Sequence, residues 1–509
     1  MRKVAKPVRS RKQAGIPETR DGGDFSGLVF KSLSGLSADR RHANPFFVMP
    51  RSYSSNRPIV PRILTLAVVL LLATTGCSRS SRESELASDS ITENWGADYS
   101  PRPVFVKQAF ETEITSVLSS NLTRVHKNDY PSSRNTIVIG LDADLTSASA
   151  RAGEAVQRGV RLALQEINDA GGVLGRTVEL ISRDHRGNPR RGLDNVRELS
   201  EIPNVVAIMG GIHTPVALEE LATIHEREIP FLIPWAAGTP LVSNGYQPNY
   251  VFRVSVRDEY AGEFLVEQAL KSNYQRLAVM LEQTGWGRSN HVAIRTALDS
   301  RNLEADSVQW FHWGDPTIEE KVNKVVASHA DALLLVANPL EGADVVRSMA
   351  NVPVPDRVPV ISHWGITASD FPALVGASLS RVNLLFLQSY SFLGDRATLQ
   401  SRVLVKAYCN TYDDAANARD IFSPAGTAHA YELTKMLAEA IEDAGTVNRR
   451  SIRDAFEQLG PYEGMIRSYE RPFPQDHHDA LGIEDLRLAR YDADGVIVPV
   501  NIAAVGQHD

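Results

Sequence analysis

The sequence predicts an α/β protein built from two doubly wound lobes, on the basis of two observations. From residue 135 onward, short β-branched or apolar runs alternate with longer segments whose apolar residues recur at helical spacing. This alternation implies parallel sheets with helices on both faces. A second series of the same kind follows the first. Two facing lobes of this type leave a cleft beyond the carboxyl ends of their strands.

The first series opens with a β-branched run at 137–141 and a helix predicted over 154–170. Apolar residues of that helix recur on one face, and Gly171-Gly172 ends it, as glycines commonly do. Further strands are predicted at 178–182, 205–209 and 231–233. Asp142 and Asp144 lie near the end of the first strand and could face the cleft, but we expect them to be exposed loop acids.

The second series again alternates strands and helices. Strands are expected at 276–281, 332–337 and 358–361, and a closing hairpin over 485–499 turns at Asp494-Gly495. Helices are expected at 261–272, 289–301, 317–328, 402–413 and 427–444.

Length and composition exclude several classes of protein. The 509 residues leave room for two or three domains. A hydrophobic fraction of 43% and a charged fraction of 23% are ordinary globular values, which exclude a wholly disordered, collagen-like or polytopic membrane protein. The net charge of −7 gives no basic surface for nucleic acid.

The chain begins with a basic leader, residues 1–77, which carries 13 Lys or Arg and 4 Asp or Glu. An apolar run at 63–75 is too short to span a bilayer comfortably and is typical of a signal-peptide core. It ends at Gly76-Cys77, which resembles a bacterial lipoprotein signal, so we expect Cys77 to be lipid-modified. An ordinary signal peptide or a short membrane anchor is the alternative. Translation from Met49 would leave 1–48 outside the protein.

Residues 78–134 are Ser-rich and interrupted by prolines, and they predict a flexible tether between the leader and the folded body. With Cys77 modified, Cys409 is the one remaining cysteine of the sequence, and we expect it to be a buried thiol.

Several segments of the body resemble one known family in order and spacing. The opening strand with Leu145-Thr146, and the run Asn168-Asp-Ala-Gly-Gly172, look like the start of branched-chain amino-acid-binding proteins. These are Leu/Ile/Val-type periplasmic solute-binding proteins of ABC transporters. The segments 210–214, 229–240 and 251–254 continue the pattern, and 285–287 resembles the aromatic-glycine step of the second lobe.

The resemblance implies a type I periplasmic-binding-protein fold, in which two Rossmann-like lobes close like a Venus flytrap around a small ligand. Three hinge crossovers would join the lobes near 254–256, 387–390 and 462–466. Lobe I would comprise 135–254 plus 391–461, and lobe II would comprise 257–387 plus 466–509.

The resemblance also implies a set of ligand-binding residues at strand ends. Short hydroxyl side chains and free backbone N–H groups there can bind a carboxylate or another polar group. In the first lobe the matching positions are His213, Thr214, Trp235, Ala236, Ala237, Gly238 and Thr239. In the second lobe they are Trp286, Asn338 and Trp364.

Tryptophans distinguish this chain from amino-acid-binding relatives. Trp364 stands where those relatives carry the acid that holds the ligand's ammonium group, so a simple α-amino acid is in doubt. Indoles favour an aromatic or planar ligand, or a cage around a quaternary ammonium. The alternatives are that the tryptophans pack in the core, that Thr214 caps the following helix, and that Asn338 serves a turn.

The sequence therefore predicts a lipid-anchored extracytoplasmic binding protein that captures a small organic ligand for the permease of an ABC importer. The ligand would be amino-acid-like, an amide, or an aromatic or quaternary amine. A ligand-sensing or regulatory envelope lipoprotein on the same fold is the alternative. No P-loop, zinc-protease or nucleophile-elbow motif is present, so we predict no enzyme, no cofactor and no bound metal.

Overall fold

The computed structural model describes residues 135–394 and 398–500. The predicted leader, the tether and Cys77 lie outside these ranges.

The first sheet has five parallel strands in the order β2-β1-β3-β4-β5. Every residue of β1, β3, β4 and β5 is buried, which explains why these strands are continuous apolar runs rather than alternating ones. The strands are β1 (Ile137–Ala143), β2 (Val178–Asp184), β3 (Val205–Met209), β4 (Phe231–Ile233) and β5 (Val251–Arg253).

Seven helices accompany this sheet among the described residues, four before β5 and three from the later part of the chain. They are α1 (Ala150–Asp169), α2 (Pro189–Glu201), α3 (Thr214–Glu226), α4 (Thr239–Val242), α10 (Leu399–Thr411), α11 (Pro424–Ala444) and α12 (Arg449–Gln458). Helix α11 packs along α1 at very short range, because a Cβ on Gly159 would lie 2.3 Å from the carbonyl oxygen of Thr427. This pairing places α11, a helix from the later part of the sequence, beside the first sheet.

The second sheet has seven strands in the order β14-β13-β10-β9-β8-β6-β7, of which β13 and β14 are antiparallel. Its strands are β6 (Leu277–Glu282), β7 (Ser307–Phe311), β8 (Ala332–Val336), β9 (Val360–Ser362), β10 (Leu384–Gln388), β13 (Arg487–Tyr491) and β14 (Ile497–Pro499). Its helices are α5 (Asp258–Lys271), α6 (Gly285–Asp299), α7 (Ile318–Ala327), α8 (Pro339–Asn351) and α9 (Phe371–Val375).

The strand β7 was not predicted, because it lies at the sheet edge and is largely half-exposed, which leaves no apolar run to detect. A separate two-stranded hairpin joins β11 (Tyr462–Glu463) and β12 (Ser468–Tyr469). Short 3-10 turns lie at Val354–Asp356, Trp364–Ala368, Gly376–Arg381, Ala418–Asp420 and Ile483–Asp485.

The two sheets confirm the predicted α/β class with two doubly wound lobes. We call the first sheet with its helices the first lobe, and the second sheet with its helices the second lobe. The third crossover differs from the predicted 462–466. Residues 478–480 hydrogen-bond to β5, from Arg253 N to His478 O and from Ala480 N to Arg253 O, both at 2.9 Å. The chain therefore stays beside the first sheet until Ala480.

A buried ion network lies where β5 meets this returning segment. The Arg253 guanidinium, fully buried, donates through Nε to the Asp479 carboxylate, and Arg257 Nη1 donates to the same group at 2.9 Å. Arg253 Nη1 also donates to the carbonyl oxygens of Ala236 at 3.2 Å and Gly238 at 2.9 Å. Burial alone would raise the pKa of Asp479, but the two guanidinium charges outweigh it and hold that pKa below its usual range.

We expect Asp479→Ala to lower the free energy of unfolding by about 3–5 kcal/mol, because it leaves the Arg253 charge buried without its partner. Urea unfolding measures this. Arg276→Ala is the control, since it removes an exposed ion pair with Asp331, and such pairs contribute little. Equal losses in the two variants would contradict the prediction.

The first lobe also buries a pair of carboxyl groups, Asp142 and Glu220. The expectation that Asp142 and Asp144 are exposed is wrong, because both are fully buried at the end of β1. Asp142 Oδ1 accepts from Asn195 Nδ2 at 2.6 Å, and its other oxygen faces Glu220 across Gly192. Burial raises the pKa of Glu220 to about 7, and burial with the neighbouring Glu220 charge raises that of Asp142.

A carboxyl group whose pKa is raised on folding stabilises the protein below its ordinary pKa of about 4.5, and this stabilisation is lost as the pH rises through its folded pKa. We therefore expect the free energy of unfolding to decline from pH 5 to pH 8. The Glu220→Gln variant keeps a neutral hydrogen-bonding group beside Asp142, and its free energy of unfolding should decline less over the same pH range. An unchanged pH slope in urea unfolding of this variant would refute the role of the pair.

Candidate functional site

The predicted site residues all lie just beyond the carboxyl ends of parallel strands, where the two lobes face each other. Thr214 begins α3 after β3, the loop 235–239 follows β4, and Trp286 lies in the first turn of α6 after β6. Asn338 follows β8, and Trp364 begins the 3-10 turn after β9. The strand ends thus bring residues from distant parts of the sequence to one face.

Trp235 of the first lobe and Trp364 of the second lobe stack directly on each other. Their ring centroids are 4.9 Å apart and their planes differ by 18°. Trp235 is 4% exposed and Trp364 is 1% exposed. The ring of His429, on α11, lies 5.8 Å from that of Trp364, and a Cβ on Gly426 would lie 3.2 Å from Trp235. The indole pair therefore fills the space between the lobes at this point.

Trp286 does not join this stack, although the sequence placed it with the other two tryptophans. Its ring packs edge-on against His363, at 5.1 Å between centroids, and its Nε1 donates to Asp258 Oδ1 at 3.2 Å. A Cβ on Gly365 would lie 2.4 Å from the Trp286 ring. Trp286 thus lies beside the turn that carries Trp364, in a more polar layer of the same cleft.

The loop 235–239 uses most of its polar backbone groups within the protein. Ala236 N donates to Gly211 O at 2.7 Å, Gly238 N donates to Thr214 Oγ1 at 3.2 Å, and Thr239 N donates to Ser289 Oγ of α6 at 3.1 Å. These three N–H groups are therefore not free, contrary to expectation. The Thr214 hydroxyl holds this loop and makes no cap bond to its own helix, whose N-cap is His213.

His213 and Asn338 each face an acid. His213 Nε2 lies 3.2 Å from Asp144 Oδ2. Burial would raise the pKa of Asp144, but its hydrogen bonds with His213 and Ser147 hold it well below its usual range. Asn338 donates to Glu282 from its backbone N at 2.6 Å and from Nδ2 at 3.1 Å. Burial and the nearby Glu341 charge raise the pKa of Glu282 to about 8.

Trp313 connects these two acidic centres across the cleft. Its Nε1 donates to Glu282 Oε2 at 2.9 Å, and its ring lies 5.9 Å from that of His213 in the other lobe. Sequence reasoning missed Trp313 because the strand before it was not detected. It also missed Glu282, Asp258 and His363. Glu282 and His363 lie at the ends of apolar strands and Asp258 lies just after a hinge segment, and this placement is the signal that could have found them.

The two lobes contact each other at these residues. Of the ten predicted site residues, all but Thr239 and Asn338 are buried. An exposed ion pair between Arg151 of α1 and Asp370 before α9, at 3.2 Å, also bridges the lobes. Two surface pockets of about 280 Å³ each lie elsewhere, one lined by Arg467 and His477 and the other by Arg227 and Arg449.

Within 135–394 and 398–500, no group of three or more His, Cys, Asp or Glu side chains is placed to hold a metal ion. In the same ranges, no helix combines the length and apolar character needed to cross a membrane.

The stacked indoles give a testable optical signature. We expect an exciton-coupled circular-dichroism band from the pair, because two indoles held 4.9 Å apart couple their transitions. Trp235→Phe or Trp364→Phe should each remove it. Trp310→Phe, which changes a half-buried tryptophan on β7, should leave it in place. A band that survives in both stack variants would show that the two rings do not pair in solution.

Comparisons with known proteins agree with this architecture. The family model described as "Periplasmic binding protein" matches residues 136–496. The Leu/Ile/Val-binding protein homolog 3 of Brucella melitensis is 23% identical over 65% of this chain and 85% of its own length. The Leu/Ile/Val-binding protein BraC3 of Rhizobium johnstonii is 23% identical over 62% of this chain and 82% of its own length.

Solved structures show the same fold at low identity. A type 1 periplasmic binding protein from Bordetella pertussis has a TM-score of 0.65 at 20% identity, covering 72% of this chain and 100% of the other. The branched-chain amino-acid-binding protein LivJ of Streptococcus pneumoniae, solved with isoleucine, has a TM-score of 0.61 at 19% identity over the same shares. The predicted resemblance is thereby confirmed, and the chain belongs to the periplasmic binding protein family.

Proposed function

We propose that this protein is an extracytoplasmic solute-binding protein that captures a small organic ligand between its lobes and delivers it to an ABC importer. The observation that carries the proposal is the Trp235–Trp364 stack. Each ring comes from a different lobe, and each follows the carboxyl end of a parallel strand. Ligands of open α/β sheets bind at that place.

Binding would require the stack to part. A planar group inserted between two rings needs about 7 Å between them, since each stacked contact takes about 3.5 Å. The lobes would have to separate and then close again on the ligand. The ligand must also replace the ring–ring contact, which is worth about 0.5–1.5 kcal/mol beyond its area. A ligand can separate the two rings only if it binds the lobes closed around it with more free energy than the contact between the two rings provides.

The ring pair favours an aromatic or planar ligand over a simple aliphatic one. Related folds accept both kinds, since the Streptococcus pneumoniae protein was solved with isoleucine and a Rhodopseudomonas palustris protein was solved with 4-hydroxybenzoate. The latter has a TM-score of 0.61 at 15% identity. In this chain two broad indole faces at the lobe contact offer a planar group the larger contact area.

The proposed location is the cell envelope, with lipid attachment at Cys77 and a tether over 78–134. The basic flank, the apolar run 63–75 and Gly76-Cys77 support it. The family supports a binding rather than a catalytic role. The partners would be the small ligand, a permease, and a membrane through the lipid anchor alone.

A second candidate is a ligand-sensing or regulatory envelope lipoprotein that does not transport. One observation favours it, namely that the cleft is filled by its own side chains, which is an arrangement that needs no ligand to hold the lobes together.

Thermal unfolding of the full-length protein in mild detergent tests the proposal. The panel would contain amino acids, aromatic acids, amines, amides and quaternary amines. A ligand at about 1,000 times its Kd adds about 4 kcal/mol and should raise the Tm by several degrees. Trp235→Ala and Trp364→Ala should abolish the shift. Trp310→Ala, a matched change outside the cleft, should keep it.

The outcomes separate the two candidates. A shift that depends on both cleft tryptophans, together with loss of uptake of that solute in cells lacking the protein, supports delivery to an importer. Binding without any effect on uptake supports the sensing role. If no panel member shifts the Tm of a folded protein, capture of a small solute of these classes is refuted.

A further inference from the structure

We infer that an arginine-lined cavity on the first lobe, away from the cleft, is a binding site for a phosphate group. The cavity has a volume of about 280 Å³ and is the second of the two surface pockets described above. Its charged lining residues are Arg227, Glu228, Arg449 and Arg450. Solute capture between the lobes makes no use of this cavity, so the two proposals stand or fall separately.

The cavity lies at the edge of the first sheet that is opposite the cleft. Val205 in its wall is the first residue of β3, whereas the cleft residues follow the carboxyl ends of the strands. Arg227 and Glu228 directly follow α3, and Arg449 and Arg450 begin α12. Three segments that are distant in the sequence therefore form one cavity.

Arg449 is a half-buried cation that pairs with no carboxylate among the described residues. Its Nε donates to Val205 O at 2.9 Å, and its Nη2 donates to Ser200 O at 2.9 Å and Ile202 O at 3.5 Å. Within the described ranges these bonds leave the two N–H groups of Nη1 without an acceptor. Burial and the nearby Arg227 charge lower the pKa of Arg449. An anion in the cavity would stabilise this charge.

Two further arginines add to the positive charge of the cavity. Arg227 Nη2 donates to Glu201 Oε1 at 3.3 Å, and Arg450 Nε donates to Glu228 Oε2 at 2.5 Å. Each of these ion pairs occupies one nitrogen of a guanidinium group, so each arginine keeps donors for a second acceptor. The lining therefore holds three guanidinium groups and one carboxylate.

A phosphate group fits this set of donors. It carries more charge and more acceptor oxygens than a carboxylate, and guanidinium groups bind it through pairs of N–H donors. The N-terminus of α12 adds a field that favours an anion. Its backbone N–H groups at Arg450 and Ser451 already donate to Asn448 Oδ1, at 3.1 and 3.2 Å. The guanidinium groups are therefore the expected donors to the phosphate oxygens.

The position of the cavity indicates two sources for the phosphate group. Val138 N donates to Asn204 O at 2.9 Å, and Asn204 Nδ2 donates to Thr136 O at 3.0 Å. The chain that follows the predicted tether thus enters the first lobe beside Pro203, which lines the cavity. The phosphate could belong to a membrane lipid headgroup or be free inorganic phosphate. The lipid source alone rests on the proposed attachment at Cys77.

Calorimetric titration of the full-length protein in a neutral detergent, at low ionic strength and neutral pH, tests the site. The two probes are inorganic phosphate and dibutanoyl phosphatidylglycerol, a lipid whose chains are too short to form vesicles. Wild type should bind at least one probe, and the Kd should rise as NaCl is added, because salt screens the charges of this exposed cavity. The probe with the lower Kd identifies the source.

Arg227→Gln and Arg450→Gln should each raise the Kd of the bound probe about tenfold, as expected for the loss of one charge-assisted hydrogen bond. Both side chains are exposed, so both variants should fold. The matched control is Arg276→Gln, which changes an exposed and paired arginine of the second lobe and should leave the Kd unchanged.

Glu228→Gln should change the affinity in the opposite direction. It removes the carboxylate from the lining and releases Arg450 Nε from its ion pair, so the Kd should fall. A variant that merely damaged the fold would weaken binding, so a lower Kd separates an effect on the site from an effect on folding.

The inference is overturned if neither probe binds to the folded protein. It is also overturned if a probe binds with the same Kd in wild type, Arg227→Gln and Arg450→Gln, because the probe then binds elsewhere. A protein that binds a phosphate probe here but no solute of the panel keeps this inference while the proposed function fails. Solute binding without phosphate binding gives the reverse result.

Discussion

The buried Arg253–Asp479–Arg257 network is the interaction on which the candidate site depends most. It joins β5, the returning segment 478–480 and the start of the second lobe, and the Arg253 guanidinium also fixes the carbonyls of Ala236 and Gly238. Trp235 stands at the beginning of that same loop. Buried charges such as those of Arg253 and Asp479 are tolerated only when they are well paired. The position of the loop is therefore fixed by this ion network rather than by the loop's own short sequence.

The fold could be predicted largely from the sequence, because buried parallel strands are apolar runs and their helices show a clear period. The strands β3 and β4 have the predicted bounds. The edge strand β7 escaped detection because half of its surface is exposed. The predicted position of the third crossover was wrong because the bridge from Arg253 to Asp479 joins residues 226 positions apart. No local sequence pattern indicates a pairing over such a distance.

The site could be predicted only in part, for the same physical reason. The resemblance to the family, which matches positions at strand ends, implied that Trp235 and Trp364 lie on one face, but their direct contact depends on how the two sheets face each other. Asp258 and His363 were missed because neither residue type is unusual at a helix start or a strand end. Both residues are fully buried, and this burial depends on how distant parts of the chain pack together.

The self-stacked indoles have a consequence for how cargo could be signalled. Because Trp235 and Trp364 stack directly on each other across the lobes, contact between the lobes is not a unique mark of a loaded protein. A membrane partner that recognised only closed lobes would accept unloaded molecules as well. To distinguish loaded from unloaded protein, the partner would then have to recognise a local difference, such as the separation of the two rings, rather than the closure of the lobes as a whole.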